Sequence, residues 1–187
     1  AVPVFLDQQM AVRPTGLFER CPHEHRLSAE QLQALTHSAT MVATSDESKA
    51  LARRHVPMVI LSASGMATGG RVLHHLALYA GEQRNMVIIT GYQAPGTRGA
   101  RLANGEKTIR IHGQDVAVRA EVVQLSSASA HADAEQMLAW LRSMGQAPEQ
   151  VYVVHGEMQA ADMLRQRIEH ELRWHATVPE HGSTLNV

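Results

Sequence analysis

The sequence predicts an α/β fold with a mostly parallel sheet flanked by helices. Three observations carry that expectation. Apolar runs of strand length occur at Val2–Leu6, Met58–Leu61, Met86–Ile89, Val122–Leu125 and Val151–Val154. Segments with apolar residues at helical spacing follow several of them, and the tips in between are polar or rich in glycine. Parallel strands need crossover helices, and such sheets keep their ligands at the carboxyl ends of the strands.

In chain order, Val2–Leu6 reads as a buried strand ending at Asp7, and Gln8–Leu17 as a short helix interrupted at Pro14-Thr15-Gly16. Residues 18–38 are polar and give no assignable period. Ala39–Ala43 reads as a strand, and Thr44 with Glu47 forms a capping box for a helix to about Arg54. Met58–Leu61 leads through the Gly-rich loop Ser62–Gly70 into a helix ending near Tyr79, and Met86–Ile89 leads into a second loop, Gly91–Gly99. Thr108–Ile111 and Asp115–Val118 flank His112-Gly113-Gln114 as a hairpin. The hairpin breaks the parallel rhythm and places a domain boundary between about 111 and 128, set here between residues 124 and 125.

Beyond it, Val122–Leu125 reads as a strand leading to the tip Ser129-Ala130-His131-Ala132-Asp133. Asp133 is a candidate N-cap with Gln136 three residues on, Ala134, Met137, Leu138 and Leu141 recur at helical spacing, and Gly145 is the expected C-cap. Val151–Val154 is a short strand, His155-Gly156-Glu157 its tip, and Ala161, Leu164, Ile168 and Leu172 stripe the next helix. Ala176–Val178 and Thr184–Val187 read as closing strands.

With 187 residues, 44% of them hydrophobic, the chain can bury one core of ordinary size or two small ones. A net charge of -1 excludes a globally basic nucleic-acid binder. Locally, Arg84, Arg98, Arg101, Lys107, Arg110 and Arg119 face only Glu106 and Asp115 between residues 84 and 119, whereas residues 131–187 are net acidic. The single cysteine, Cys21, cannot form an intrachain disulfide and suits a reducing cytoplasm. No apolar run approaches the ~20 residues of a membrane span. The chain opens on a strand with neither an initiating Met nor a signal peptide, and reads as a piece of a longer protein.

His131 and His155 stand at equivalent tips, each after a strand and before a helix. Imidazole can hold a transition metal or move a proton near neutral pH, and the residues alone leave both roles open. In the first loop Ser64, Gly65, Thr68, Gly69 and Gly70 let backbone N–H groups approach an anion at a helix N-terminus, and Arg71 beside them is a further candidate to bind phosphate. A tight turn needing small residues is an equal reading, and no Gly-Lys-Ser/Thr follows to make a P-loop. In the second loop Tyr92 is available to stack on a base, Gln93, Gly96 and Thr97 to line the path, and Arg98 or Arg101 to hold phosphate. Of His74 and His75, one is expected to face the core and one the rim, with no role assigned. Cys21-Pro22-His23-Glu24-His25 contains a His-x-His but reads as a polar surface loop.

Taken in order, the segments at 62–76, 91–102, 129–133 and 153–157 resemble the β-CASP ribonucleases of the metallo-β-lactamase superfamily. The resemblance implies a Rossmann-like β-CASP domain over residues 1–124. It also implies a strand-helix-strand-helix return segment of a metallo-β-lactamase αββα domain over 125–187. It implies two zinc ions in the full-length enzyme, single-stranded RNA as substrate, His131 beside the scissile phosphate as proton donor or stabiliser of developing charge, and His155 as a zinc ligand. Asp133 and Glu157 are candidate orienters, although capping and a first-turn carboxylate account for them equally. Family members that act on DNA carry an aliphatic residue where His155 stands, which favours RNA.

The His-x-His-x-Asp-His zinc signature and the acidic partner of the first histidine are absent from this chain. Positions 26–28 are Arg26-Leu27-Ser28 where the signature would continue from His23 and His25. The isolated chain is therefore expected neither to bind zinc tightly nor to cleave RNA. Ala128 replaces a usual aromatic, and Gln8-Gln9 a usual Ser-Pro. Two other readings stay open: a non-catalytic RNA-binding or scaffold member of the fold, and a DNA-directed β-CASP nuclease. A homodimer is a candidate assembly. Endo- and exonucleolytic action are both compatible with these residues.

Overall fold

The computed structural model describes residues 2–8, 16–18, 20–125 and 131–184. It is α/β, and the chain divides into two compact units, Ala1–Ser129 and Ala130–Val187.

Unit 1 begins with β1 (Val4–Asp7), flanked in parallel by β2 (Thr40–Met41) and β3 (Val59–Ser62), with Phe5 opposite both Thr40 and Ile60. The helices α1 (Ala29–His37) and α2 (Ser45–Ala52) lie between them in the chain. The Thr44/Glu47 capping box expected at α2 is present, the Thr44 hydroxyl accepting from Glu47 N and Glu47 reaching back to Thr44 N. Ser28 and Gln31 build the same box at α1. That helix lies in the stretch that gave no period, because it buries none of its residues and so carries no apolar stripe.

After β3 come α3 (Val72–Tyr79), β4 (Met86–Thr90), α4 (Arg98–Ala103), the antiparallel hairpin β5 (Thr108–Ile111) and β6 (Gln114–Ala117), and β7 (Glu121–Leu125). β4 and β7 pair in parallel, Met86 opposite Glu121. The core is one-sided: Leu73 and Leu76 of α3 pack with Ile89, Leu102, Ile109, Ile111 and Val118, while Leu51 of α2 packs with Phe5 and Val42. The alternate residues of β3 and β4, Val59, Leu61, Met86 and Ile88, are apolar but exposed. Strands apolar on both faces are the pattern of a parallel sheet built for cover on both sides.

Unit 2 contains α5 (Ala134–Arg142), β8 (Val151–Tyr152), α6 (Met158–Arg167) and β9 (Ala176–Thr177), with β8 parallel to β9. The Asp133/Gln136 capping box is present, with Gln136 N 2.8 Å from Asp133 Oδ1. Gly145 does not cap α5. The helix closes at Ser143, in right-handed conformation, whose N–H donates to Ala139 O and Trp140 O and whose hydroxyl also donates to Trp140 O. Those bonds satisfy the last carbonyls without a left-handed residue.

The apolar stripe of α6 holds: Ala161 and Ile168 are buried, and Leu164 and Leu172 pack against Leu138, Leu141 and Val153. The helix runs on into a π-helical turn, Ile168–Leu172, ended by the left-handed Arg173. Of the remaining strand and helix expectations, most of Gln8–Leu17 and of Thr184–Val187 lies outside the described residues, as do Ala128, Ser129 and Ala130. No helix among the described residues is long and apolar enough to cross a membrane.

Candidate RNA-binding loops and histidine tips

Both Gly-rich loops of unit 1 leave the carboxyl ends of parallel strands and enter helices. The first spans from Ser62, the last residue of β3, to Arg71, at the N-cap position of α3 without a capping bond from its side chain. Inside it, Ala67 N donates to Ser64 O, and the hydroxyls of Ser64 and Thr68 are 3.0 Å apart. Gly70 has φ 78, and a Cβ there would stand 3.2 Å from Ala63 O, so both conformation and space ask for glycine. Gly65, Thr68 and Gly70 are exposed, while Ser64 and Gly69 are half-buried.

The second loop, Gly91–Thr97, is fixed by Thr97, whose hydroxyl donates to Ala94 O and accepts from Ala100 N as the N-cap of α4. Tyr92 is exposed. Gln93 is buried, its amide nitrogen donating to Tyr92 O, and its Oε1 has no hydrogen-bond partner. That oxygen occupies the space a side chain at residue 99 would need: a Cβ on Gly99 would lie 1.7 Å from Gln93 Oε1 and 3.0 Å from Met66 Cα. An open groove runs along this loop, lined by Tyr92, Gln93, Pro95, Gly96, Arg101 and Gln124.

The two loops are stapled to each other. Gly99 N donates to Met66 O at 2.9 Å, and Arg98 Nη1 donates to Ala67 O at 3.3 Å. This juxtaposition is not legible in the sequence, where the loops stand apart with α3 and β4 between them.

The three arginines expected at phosphate are engaged within the chain. Arg98 Nε donates to Arg110 O. Arg101 Nε donates to Glu106 at 2.7 Å and its Nη2 to Thr108 O. Arg71 donates from Nη1 to Asp7 Oδ1 at 2.6 Å and to Val42 O, and from Nη2 to Ala43 O. A guanidinium already donating to carbonyls and carboxylates has fewer N–H groups left for an anion.

Asp7 is the centre of a cluster that sequence reasoning missed. It is fully buried and its carboxylate accepts three hydrogen bonds, each at 2.6 Å, from Ser48 Oγ, Arg71 Nη1 and His75 Nε2. Facing a carboxylate, His75 carries its proton on Nε2. Its Nδ1 is buried without a partner. Burial pushes the Asp7 carboxyl up, but the bonds from Ser48, His75 and Arg71 outweigh it and hold the group below the usual carboxylate range. His75 is thus the core-facing member of the histidine pair; His74 is exposed and stacks on His112, with ring centroids 5.1 Å apart.

The two tip histidines belong to unit 2 by residue number. His131 is exposed, two residues before the N-cap Asp133, whose side chain is occupied by capping. His155 is exposed between β8 and α6 with φ 62, a left-handed conformation uncommon outside glycine. Glu157 is the N-cap residue of α6 and makes no capping bond through its side chain. The strands before the two tips lie in different two-stranded sheets, β7 paired with β4 and β8 with β9. Among the described residues no three His, Cys, Asp or Glu side chains are grouped to hold a metal ion. One imidazole is not a zinc site.

Residues 1–102 match the Beta-Casp domain, and residues 115–179 match the Zn-dependent metallo-hydrolase RNA specificity domain. The chain is 37% identical over 164 residues to Ribonuclease TTHA0252 of Thermus thermophilus, an alignment covering 83% of this chain and 36% of the relative. It is 32% identical over 139 residues to Integrator complex subunit 11 of Gallus gallus, covering 74% of this chain and 23% of that protein. It is 30% identical over 169 residues to Transcription termination factor FttA of Methanocaldococcus jannaschii, covering 83% and 26%. The alignments thus take in little more than a third of the first relative's length and about a quarter of each of the others. On the matches to both domains, the chain belongs to the β-CASP family of the metallo-β-lactamase superfamily.

Proposed function

We propose that this chain is the RNA-gripping part of a zinc-dependent ribonuclease, with residues 1–124 in its β-CASP domain and 125–187 in the return segment of the metallo-β-lactamase domain. The observation that carries the reading is the stapling of two Gly-rich loops, Gly99 N to Met66 O, at the carboxyl ends of parallel strands. Phosphates would be met by backbone N–H groups of Ser64, Gly65, Thr68, Gly69 and Gly70. Tyr92 would stack on a base, with Gln93, Gly96 and Thr97 shaping the groove beside it. Arg71, Arg98 and Arg101 contribute positive potential and loop rigidity as well as direct contacts, because part of each guanidinium's donors is engaged within the chain. A relative named as a ribonuclease, and the match of residues 115–179 to an RNA specificity domain, support RNA as the ligand.

His131 would donate a proton to the departing ribose oxygen, and His155 would supply one imidazole to a two-zinc centre whose other ligands lie outside these 187 residues. The zinc ions would supply the activated water of hydrolysis. Asp133 and Glu157 would orient the tips, Asp133 by holding the start of α5 through its cap. The isolated chain would bind single-stranded RNA without cutting it, in the cytoplasm, and a homodimer is compatible with this role.

The test is cleavage of a single-stranded RNA by the longer protein that carries this segment. Replacing His131 with Ala there should slow cleavage by about 10²–10⁴-fold, the usual scale of a general acid. An unchanged rate would remove His131 from the chemistry, and rapid cleavage by the 187-residue chain alone would overturn the division of labour.

A further inference from the structure

We infer that Asp7 is a positioning residue that anchors both ends of the Gly-rich loop Ser62–Arg71, and so fixes the shape in which that loop meets RNA. The last clause rests on the RNA reading proposed above; the anchoring stands on hydrogen bonds alone.

At the start of the loop, Ser62 lies beside Asp7 in the parallel register, and its hydroxyl donates to Asp7 O at 3.1 Å. At the end, Arg71 Nη1 reaches Asp7 Oδ1 at 2.6 Å, and His75, one turn into α3, reaches Oδ2 at 2.6 Å. Arg71 is itself held by the carbonyls of Val42 and Ala43, both at 2.9 Å. Backbone oxygen and carboxylate of a single residue therefore hold the two points where the loop enters and leaves the fold. Between them lie the exposed Gly65, Thr68 and Gly70.

Stability alone is a poor reason for this arrangement. A buried ion pair can often be exchanged for apolar side chains with no loss of stability, and its better-attested gain is geometric specificity. A loop with three glycines has much conformational freedom to lose when it closes on a ligand, and anchoring it beforehand removes part of that cost. Ser48 supplies an internal control. It donates to the same carboxylate at the same 2.6 Å, but from α2, outside the loop.

The experiment compares the chain with its Asp7→Asn, Ser62→Ala and Ser48→Ala variants. Thermal stability, amide hydrogen exchange over residues 63–70, and affinity for a single-stranded RNA oligonucleotide are measured on each. Asp7→Asn should speed loop exchange and weaken RNA binding by about tenfold. Ser62→Ala should do both to a smaller degree, and it carries the test if Asp7→Asn does not fold. Ser48→Ala should lower stability while leaving loop exchange and RNA affinity unchanged. Affinity that falls in step with stability across all three variants would reduce Asp7 to a structural residue. Loop exchange unchanged in both Asp7→Asn and Ser62→Ala would overturn the anchoring itself. Failure of the parent chain to bind RNA counts against the RNA reading, and the exchange measurements then still decide whether Asp7 anchors the loop.

Discussion

The Asp7 cluster of unit 1 and the ion pairs of unit 2 hold charge in different surroundings. Among its described residues, unit 1 buries one carboxylate, Asp7, which accepts from Ser48, Arg71 and His75. Unit 2 lays its ion pairs along the surface. Arg165 bridges Asp162 and Glu169, Arg167 bridges Glu171 and Glu135, and Arg142 joins Glu171, all at 2.6–2.7 Å. Bond lengths are alike in the two places, but solvent is not. Water and salt screen the pairs of unit 2, where long side chains must also give up rotamer freedom. In unit 1 the shared acceptor, Asp7, and the His75 donor are buried, so a bond lost there leaves a polar group that water does not readily reach. Near-identical distances thus carry different consequences, and burial decides which of them matter.

The sharpest break of this contrast is Asp7→Ala. It strands Arg71 and His75 against each other and should destabilise unit 1 by about 3–5 kcal/mol, the range for removing one partner of a buried pair. Denaturant unfolding would measure it, and a loss under about 1 kcal/mol would mean the cluster relaxes into solvent.

Acid sharpens the same point. The folded Asp7 carboxyl titrates below its unfolded value, so the native state binds fewer protons there. Its contribution is fully present above the unfolded value of about 4 and is lost as pH falls through the lower, folded one. The stability difference between the parent chain and Asp7→Asn should therefore shrink from pH ~5 downwards. A difference that stays constant down to pH ~2 would show that the charge of Asp7 contributes nothing.

Smaller effects follow. Ser48→Ala removes one bond to a charged acceptor and should cost about 1.5–3 kcal/mol. Thr44→Ala, which breaks the capping box of α2, should cost about 1 kcal/mol. At the bottom of the scale, Arg167→Ala removes two surface ion pairs and should leave the unfolding midpoint of unit 2 unchanged in moderate salt. A midpoint shift as large as that of Ser48→Ala would erase the contrast between the units.

What could be read from the sequence was local. The capping boxes Thr44/Glu47 and Asp133/Gln136 span three residues each and appear where their patterns put them. Ser28/Gln31 has the same pattern, but without an apolar stripe behind it the helix was not legible. Gly145 shows the limit of a single-residue signal, since the preceding serine closes the helix by another route. The Asp7 cluster joins residues 64 and 68 positions apart, and nothing in their neighbourhoods announces the meeting. The same holds for Arg98, which reads as a phosphate ligand by type and loop context but reaches Ala67 O, 31 positions away. Residue type states what a side chain can bond; only the fold states which partner reaches it first. His131 and His155 are singled out by their motifs alone, and the structure adds the left-handed backbone of His155.

The most direct measurement is titration of a single-stranded RNA into the isotope-labelled 187-residue chain, following every backbone amide by NMR, with DNA of the same sequence in parallel. Shifts concentrated in residues 62–71 and 91–97 and at His131 and His155, stronger with RNA than with DNA, are the predicted result. Shifts confined to the outer surface of α6 and its ion pairs, or equal responses to both nucleic acids, would contradict it.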